Sequence, residues 1–360
     1  MWVVKVIPKV IYDILVQLEK NGFEAYIVGG FVRDSLLFKK TNDIDIATNA
    51  LPKDLISIFG IPKRSIQYGS YHLKADEYDV DITTYRKEEA YTDGHPVEVI
   101  YSNNLIEDAP RRDFTMNSLY MNKKGHIIDL YHGQDDISKK IIRMIGKPKD
   151  RLEEDPIRIL RAIRFSCVYH MKFDSSLYRA IESKKNLLKD VSAPLIKREL
   201  DAILLANGFP LLKKMGLLGV LGIQNKKIVY VEDISGLWAQ IKTDREYIIP
   251  KELKYRQKRI NNILKCGTIK MFDLYQYGYY ECRVAASIMH FPFKKLAYMN
   301  SILPINSRKD IVLSSEEIKK ISEKSSRELG ELINKIEYHI VMGDLLNKRE
   351  DIIKFIRSER

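Results

Sequence analysis

Residues 26–48, YIVGGFVRDSLLFKKTNDIDIAT, constrain the fold of this chain more than any other stretch. A short apolar run stops at Gly29-Gly30 and is followed by an amphipathic segment, which is the order expected of a strand, a tight turn and a helix. Exposed amides at the start of such a helix favour an anion, because the unpaired N–H groups and the helix dipole act together. We therefore predict that Gly29, Gly30 and Arg33 bind phosphate.

The second half of this stretch predicts a strand with two carboxylates on one face. Acid and apolar residues alternate over 43–46, so Asp43 and Asp45 project from one side while the isoleucines point into a core. Like charges this close resist ionisation unless a cation lies between them, and Mg²⁺ prefers one or two carboxylates together with substrate phosphates. A phosphate cradle followed by this strand indicates two-metal nucleotidyl transfer, with Asp43 and Asp45 as metal ligands.

Composition limits the class of protein and its partner. The 360 residues include 60 Lys and Arg against 48 Asp and Glu, and this formal charge of +12 favours a polyanion such as nucleic acid. The three cysteines are widely spaced without a CxxC pair, which argues against disulfides or a zinc site and fits a reducing cytoplasm. The amphipathic start predicts neither a signal peptide nor a membrane span. The seven histidines form no HxxxH and no His-Asp dyad.

The pattern of the chain changes near residue 139. Helical and strand patterns alternate before it, and the pattern after it is almost wholly helical. We predict an α+β fold with a mixed-sheet catalytic head (1–139), a helical neck (140–195), a helical body (196–270) and a helical tail (271–360). Residues 87–104 hold Gly, Pro, Asp and Asn with little periodicity, which predicts a mobile loop with one short strand.

Two further segments carry polar residues on one face. The alternating strand pattern over 79–85 places Asp79 and Asp81 together, so Asp81 supplies either a third carboxylate that accepts a proton from an attacking hydroxyl or only a polar strand face. We also predict a helix from about Arg112, on which Asp113 and Asn117 are four residues apart. That pair suits a ribose hydroxyl or a phosphate, and the alternative is a surface ion pair.

Residues 150–165 predict a helix with acids in its first turn and Pro156 near the first helical position. Glu154 and Asp155 lie four and three residues before Arg158, so they form either ordinary surface ion pairs or a base-reading group. A carboxylate accepts from the amino group that cytosine and adenine share, and a guanidinium donates to the adjacent ring nitrogen. Guanine and uracil present a carbonyl oxygen there, so the pair predicts selection of C and A.

In their order and spacing, the motifs GGFVRD, DIDIAT, DITTYR, RRDFTMNSL and EDPIRILRAIRF closely resemble those of the class II tRNA nucleotidyltransferases, the CCA-adding enzymes, which are kin to bacterial poly(A) polymerases. The motifs span about residues 25–205, and segments near 303–311 and 327–352 are similar to the family's C-terminal helical domain. The resemblance implies a polymerase β-like head. It also implies template-independent addition of CCA to tRNA from CTP and ATP, with Mg²⁺ as cofactor and pyrophosphate as product.

The resemblance also implies a role for each site residue. Two magnesium ions would be held by Asp43 and Asp45, and the triphosphate would be bound by Gly29, Gly30 and Arg33. The sugar and phosphates would be bound by Arg112, Asp113 and Asn117. The base would be read by Glu154, Asp155 and Arg158, with Arg161 nearby. The chain departs from the family at three places. Asp93-Gly94 runs directly to His95-Pro96 where an Arg is common, Ser118 stands where Ala is frequent, and the fifth motif around 197–200 is weak.

Three alternatives remain at this point: an enzyme that adds only the terminal A, a bacterial poly(A) polymerase, and a non-catalytic RNA-binding protein. Poly(A) polymerases usually carry a GRRF-type stretch where this chain has KRSIQYG at 63–69, which favours tRNA as substrate. The basic run 251–270 contains Lys258 and Arg259, which contact either tRNA phosphates or only solvent. We expect no obligate protein partner.

Overall fold

The computed structural model describes residues 7–60, 62, 66–67, 69–88, 91–92, 95–96 and 99–359. The chain divides into two compact units, Met1–Ile223 with Arg245–Tyr247, and Gln224–Asp244 with Ile248–Arg360. The four-part division into head, neck, body and tail is finer than this and stays a prediction. The segment assigned to the body, 196–270, contributes to both units.

The first unit contains all the named strands and ten α-helices of the described residues. The strands are β1 (Ala25–Val28), β2 (Asp43–Thr48), β3 (Ile66–Gln67), β4 (Ser70–Ala75), β5 (Tyr78–Thr84), β6 (Arg86–Glu88), β7 (Tyr91–Thr92), β8 (His95–Pro96), β9 (Val99–Tyr101), β10 (Leu119–Met121), β11 (Ile127–Asp129), β12 (Ile141–Ile142) and β13 (Lys172–Phe173). The helices are α1 (Lys9–Lys20), α2 (Gly30–Leu36), α3 (Pro52–Phe59), α4 (Leu105–Asp108), α5 (Gly133–Ser138), α6 (Pro148–Glu154), α7 (Arg158–Tyr169), α8 (Ser175–Lys184), α9 (Ala193–Leu205) and α10 (Phe209–Lys214).

A mixed sheet of seven strands, in the order β11-β10-β1-β2-β5-β4-β3, forms the centre of this unit. The alternation in β2 has the predicted effect, since Ile44 and Ile46 are fully buried while Asp43 is exposed at the strand's start. β2 and β5 pair in parallel, and their register sets Asp43 beside Asp79 and Asp45 beside Asp81. The predicted α+β architecture is confirmed.

The segment 87–104 contains more strand than the sequence predicts. β6 pairs with β9 and β7 pairs with β8, both antiparallel. The residues Tyr, Val and Ile in YTDGHPVEVIY are good strand formers and explain the pairing. Asp93 and Gly94, after which the family commonly has an Arg, lie outside the described residues, as do most of 63–68.

The predicted helix over 150–165 is in fact two helices, α6 and α7, with a break at Asp155-Pro156. A residue before proline is pushed out of the helical region, because the proline ring clashes with its backbone. Asp155 accordingly has φ −146° and ψ 92°. The break turns the acids of α6 and the arginines of α7 toward each other.

The described residues of the second unit form helices and connecting loops without a named strand, as the sequence predicts. Its helices are α11 (Ile234–Gln240), α12 (Lys251–Lys265), α13 (Met271–Tyr277), α14 (Tyr279–Met289), α15 (Phe293–Ser301), α16 (Ser315–Ser322), α17 (Ser326–Met342) and α18 (Arg349–Ser358). An isoleucine- and leucine-rich cluster of α16, α17 and α18 forms a buried core. None of the helices in the described ranges has both the length and the apolar character needed to cross a membrane.

Candidate active site

A cleft of about 480 Å³ in the first unit gathers most of the predicted site residues. Its lining comprises Gly29, Gly30, Arg33, Asp43, Asp45, Arg86, Arg111, Arg112, Asp113, Asn117, Asp155, Ile157, Arg158, Arg161, Arg164, Phe165, Leu195 and Arg198. The predicted residues Asp81, Glu154, Lys258 and Arg259 are not part of this lining. Eight arginines against four aspartates make the cleft attractive to a polyanion such as a triphosphate.

Gly29 joins β1 to α2 in a turn that only glycine fits easily. Its φ of +67° lies in the region that side chains other than glycine avoid. A Cβ added here would lie 3.0 Å from Asp45 Oδ2 and 3.8 Å from Arg112 Nη1. The absence of a side chain therefore lets the start of α2 approach the carboxylates of β2.

Asp43 and Asp45 both reach the cleft from one face of β2. Burial raises the pKa of Asp45 to about 6 against the opposing charge of Arg112, and the Asp43 and Asp81 carboxylates act in the same direction as burial. The pKa of Asp43 is also raised, by burial and by Asp81 and Asp79. Carboxylates that resist ionisation in this way would be stabilised by a divalent cation between them.

β4 adds a histidine to this carboxylate group. His72 Nδ1 lies 3.0 Å from Asp81 Oδ1, and His72 Nε2 lies 4.0 Å from Asp79 Oδ1. The expectation that no histidine forms a dyad with an aspartate is therefore wrong. The two residues are nine apart in sequence and meet because β4 and β5 pair antiparallel with His72 opposite Asp81.

Arg33 lies buried between two aromatic rings of α7. Its guanidinium carbon is 4.5 Å from the Tyr169 ring centroid and 5.1 Å from that of Phe165. Nε donates to Asp34 Oδ1 at 2.9 Å, and Nη1 donates to Asn117 Oδ1 at 2.6 Å. These contacts fix the guanidinium beside the start of α2, where the sequence predicts a phosphate.

The predicted helix from Arg112 does not form. A 3-10 turn over Ala109–Arg111 is followed by extended backbone at Arg112 and Phe114 and by a second 3-10 turn over Thr115–Asn117. The Asp113 carboxylate explains this, because its Oδ1 accepts from the Phe114 N–H at 2.8 Å and so competes with helical hydrogen bonds. The predicted Asp113–Asn117 pair still forms, at 2.9 Å from Asn117 Nδ2 to Asp113 Oδ1.

Protein donors occupy both oxygens of Asp113. Oδ2 accepts from Nε and Nη2 of Arg161 at 2.8 and 2.6 Å. Burial acts to raise the pKa of Asp113, but the charge of Arg161 and the hydrogen bonds outweigh it and lower the pKa to about 2. Asp113 is thus well placed to hold Asn117 and Arg161. It is less well placed to bind a ribose itself, which is the role that the sequence predicts for it.

Arg112 belongs to a buried network below the cleft. Its Nε donates to the Tyr120 hydroxyl at 2.9 Å and its Nη2 to Asp108 Oδ2 at 3.2 Å. The Tyr120 hydroxyl donates to the same Asp108 oxygen at 2.8 Å. Asp108 is fully buried, and Arg111 and Arg112 lower its pKa despite that burial. Asp108 and Tyr120 therefore orient the Arg112 side chain toward the cleft.

Asp155 and Arg158 face the cleft together across the break between α6 and α7. Arg158 Nε lies 3.7 Å from Asp155 Oδ2, and Arg158 Nη1 donates to Glu154 Oε2 at 3.2 Å. Burial raises the pKa of Asp155 against the charges of Arg158 and Arg161. The ion pairs predicted from the spacing are present, and Glu154 contacts Arg158 from outside the cleft lining.

Comparison with known proteins decides the family. The chain is 33% identical to the CCA-adding enzyme of Streptococcus agalactiae serotype V, over 96% of this chain and 95% of that protein. The chain belongs to the CCA-adding enzyme family. Residues 25–143 match the poly A polymerase head domain, and residues 251–356 match domain 2 of the tRNA nucleotidyltransferases.

Other CCA-adding enzymes are similar over the same length. The CCA-adding enzyme of Enterococcus faecalis is 29% identical to this chain, over 96% of this chain and 94% of the length of that enzyme. The crystal structure of the Bacillus stearothermophilus CCA-adding enzyme in complex with CTP superposes with a TM-score of 0.83 and 25% identity, covering 97% of this chain and 96% of that one. The predicted family and fold are confirmed over nearly the whole chain.

Membership in the CCA-adding family implies dependence on a divalent metal ion. Within the part of the chain that the structure describes, no group of three or more His, Cys, Asp or Glu side chains is placed to hold an ion alone. The pair Asp43 and Asp45 fits a hard cation that completes its coordination with substrate phosphate oxygens. Their raised pKa values agree with this fit.

Several lining residues of this CCA-adding enzyme were not predicted from its sequence: Arg86, Arg111, Ile157, Arg164, Phe165, Leu195 and Arg198. The sequence pattern could have indicated Arg164, because arginines recur at every third residue of α7 from Arg158 and so lie close together on the helix. Its Nε donates to the buried Glu199 at 2.6 Å, which ties α7 to α9. No sequence pattern marks Arg86, which directly follows the strand pattern of β5.

The predicted tRNA contacts lie on α12 in the second unit. Lys258 is exposed there. Arg259 has structural partners, since Nη1 donates to Glu281 Oε1 at 3.2 Å and Nη2 to the Gln276 carbonyl at 2.9 Å. The guanidinium also lies 5.3 Å from the Tyr255 ring. Of the two residues, Lys258 is therefore the better candidate for a phosphate contact.

Proposed function

We propose that this chain adds CCA to the 3′ end of tRNA from CTP and ATP, without a nucleic-acid template and with release of pyrophosphate. One observation carries the proposal: the carboxylates of Asp43 and Asp45 share a cleft with Asp155 and Arg158. Groups suited to nucleotidyl transfer and groups suited to selecting C and A thus face the same bound nucleotide. Membership in the CCA-adding family supports this reading.

Base selection follows from the donors and acceptors of Asp155 and Arg158. The carboxylate accepts from the exocyclic amino group of cytosine or adenine, and the guanidinium donates to the adjacent ring nitrogen. Guanine and uracil would set a carbonyl oxygen against the carboxylate. A buried polar group left unpaired in this way is a strong basis for rejection.

Asp43 and Asp45 are the residues that would hold Mg²⁺, which would supply activation of the tRNA 3′-hydroxyl and neutralisation of charge on the pyrophosphate. Gly29, Gly30 and Arg33 bind the triphosphate at the start of α2. Arg112 adds a second guanidinium, whose Nη1 lies 3.8 Å from where a Cβ on Gly29 would be. Together these residues align the triphosphate with the attacking hydroxyl.

Asp81 is our candidate for accepting the proton of that hydroxyl. It lies in register with Asp45 on the neighbouring strand. His72 contacts Asp81 Oδ1, which leaves Oδ2 for the proton. A substrate hydroxyl within hydrogen-bond reach of Oδ2 is the geometric requirement for this role.

Addition of the terminal A alone is the second candidate function, and extension of transcripts that end at the discriminator base, at C and at CC distinguishes it from full CCA addition. A long poly(A) product is the third. A non-catalytic role is opposed by the presence of both Asp43 and Asp45 in the cleft. We propose the cytoplasm as the location of this activity, because tRNA and nucleoside triphosphates are both supplied there.

Pyrophosphate release tests the proposal directly. A tRNA transcript that ends at the discriminator base should yield three pyrophosphates per molecule with CTP and ATP, and none without a divalent metal. Asp45→Ala should release no pyrophosphate. It should still bind the transcript with near-normal affinity, because the protein surface that binds tRNA extends far beyond one carboxylate. Pyrophosphate release by Asp45→Ala at the wild-type rate would refute the metal assignment.

A further inference from the structure

Arg151 on α6 contacts both halves of the proposed nucleotide site without lining the cleft itself. Its Nη2 donates to the carbonyl oxygens of Arg111 and Arg112 at 2.8 and 3.2 Å. Its Nη1 donates to Glu154 Oε2 at 2.5 Å. The side chain is only 14% exposed. A single guanidinium thus joins the sugar and phosphate side, residues 111–113, to the base-reading side, residues 154–158.

The backbone of Arg151 holds the remaining base-reading residues. Its carbonyl oxygen accepts from Arg158 Nη1 at 2.8 Å and from the Asp155 N–H at 3.3 Å. Glu154, Asp155 and Arg158 therefore all contact Arg151, the first through its side chain and the other two through its carbonyl. Any movement of Arg151 would therefore also move Glu154, Asp155 and Arg158.

Folding stability alone does not explain a guanidinium at this position. Arg151 Nε is buried without a hydrogen-bond partner among the described residues, and an orphaned buried N–H opposes folding. The two terminal nitrogens make all the side-chain hydrogen bonds to the site that are described above. A lysine carries a single donor point on a flexible stem, so it is unable to reproduce a planar fork that reaches two carbonyls and a carboxylate.

We propose that Arg151 is a positioning residue that sets the base-reading group at a fixed distance from the residues that hold the sugar and phosphates. The inference rests on the proposed function. Hydrogen-bond discrimination between C or A and U or G depends on that distance, because a bound base is positioned by its own ribose and triphosphate. A shift of about 1 Å is enough to misalign such a site.

Two substitutions test the proposal. Arg151→Lys keeps the charge but loses the fork, and Arg151→Met keeps the length of the stem but loses the donors. Arg245→Lys is the matched control, because the Arg245 guanidinium also donates to two backbone carbonyls, those of Leu188 and Val191, but lies outside the cleft lining. Thermal unfolding of each variant reports any loss of stability.

The readout is nucleotide discrimination under single-turnover conditions: CTP against UTP on a tRNA that ends at the discriminator base, and ATP against GTP on one that ends at CC. We expect both Arg151 variants to lower each ratio of kcat/KM by about tenfold or more. Arg151→Lys should retain more of the ratio than Arg151→Met. Arg245→Lys should leave both ratios unchanged even where it lowers the Tm equally.

Unchanged ratios in Arg151→Met, with activity reduced only in proportion to stability, would overturn the inference. If the wild-type chain extends no tRNA, the proposed function fails, and the positioning role is then tested by equilibrium binding of CTP, ATP, UTP and GTP. Loss of binding preference for CTP and ATP in the Arg151 variants would support it. An unchanged binding preference would reject it.

Discussion

Ser118 has a buried hydroxyl whose oxygen lacks a hydrogen-bond partner among the described residues. Leaving such a group unsatisfied costs roughly 1–3 kcal/mol. Ser118→Ala should therefore raise the free energy of unfolding by about 1 kcal/mol, which corresponds to ~2–4 °C in Tm for a unit of this size. The turnover number for C and A addition should not change. Urea and thermal unfolding measure the first effect and an extension assay the second.

Ser102 is the matched control for this substitution. Its hydroxyl is also buried, but it donates to Glu107 Oε2 at 2.5 Å and accepts from the Asn104 N–H at 3.0 Å. Ser102→Ala should lower the free energy of unfolding. If both alanine variants destabilise the protein, the Ser118 hydroxyl has a favourable interaction that the contacts above omit.

Asp113 gives the protein a pH-dependent contribution to stability. Its pKa is lowered to about 2, so its stabilising effect is present above the ordinary carboxyl pKa near 4 and is lost as pH falls from about 4 to 2. A fall in pKa from about 4 to about 2 corresponds to roughly 2–3 kcal/mol. Asp113→Asn should lower the free energy of unfolding by about that amount at pH 7.

Urea unfolding of the wild type and Asp113→Asn between pH 3 and pH 7 measures this difference. The gap between the two proteins should narrow below pH 4, because the wild-type carboxyl then gains a proton on unfolding. Asp190→Asn, at an exposed position that is not part of the cleft lining, is the control for carboxylate removal elsewhere in the same unit. A gap that is constant over the whole pH range would show that the ionised Asp113 is not the source of the stability.

The residues that the sequence predicts well are those whose role follows from local alternation. Asp43 and Asp45 alternate with buried isoleucines, so their shared face is visible in four letters of sequence. The partner of Asp113 is not visible in this way. Arg161 lies 48 residues further on, and only the fold brings its guanidinium to Asp113.

At the scale of elements, β2 and β5 were predictable as strands because each has a strict period of two. Their parallel pairing is a finding of the structure that the period does not report. The break between α6 and α7 was missed. The acids and arginines over 150–165 fit one helix by periodicity, and the effect of Pro156 on the preceding residue decides the outcome instead. The same break turns Asp155 into the cleft.

Pro156→Ala tests the importance of that break. Without the proline ring Asp155 is free to adopt helical angles, which would turn its carboxylate out of the cleft. We expect kcat/KM for both CTP and ATP to fall by about fivefold or more, with a small change in stability. Steady-state kinetics on tRNA that ends at the discriminator base and at CC give these values.

Pro194→Ala is the control for proline removal, because Pro194 lies in the first turn of α9, where a proline leaves the helix intact. Its kinetics should match the wild type. Wild-type kinetics in Pro156→Ala would show that the break does not set the position of Asp155.

At the scale of the whole molecule, the sequence predicted the change from a mixed sheet to helices but not the division into units. Periodicity reports which segments are helical. It does not report which helices pack together, and the segment 196–270 contributes to both units. The excess of 12 positive charges indicated a polyanionic partner without locating the contact.

Lys258 on α12 is the tRNA contact that we predict. Lys258→Glu should weaken binding of tRNA and reduce the slope of log Kd against log salt concentration by about one for the lost phosphate contact. Lys53→Glu, on the exposed surface of α3, makes the same change in net charge. Filter binding at several salt concentrations compares the two. Equal effects of both variants would assign the change to net charge rather than to a contact at Lys258.

In the proposed function, one cleft selects C and then A, and addition then stops. The most direct measurement is extension, at single-nucleotide resolution, of three tRNA transcripts that end at the discriminator base, at C and at CC, with CTP alone, ATP alone and both. We predict that all three transcripts reach CCA with both nucleotides and that extension then stops. Addition of a single A to the CC-ended transcript alone would contradict full CCA addition, and a long ladder of A would contradict the choice of tRNA nucleotidyltransferase over poly(A) polymerase.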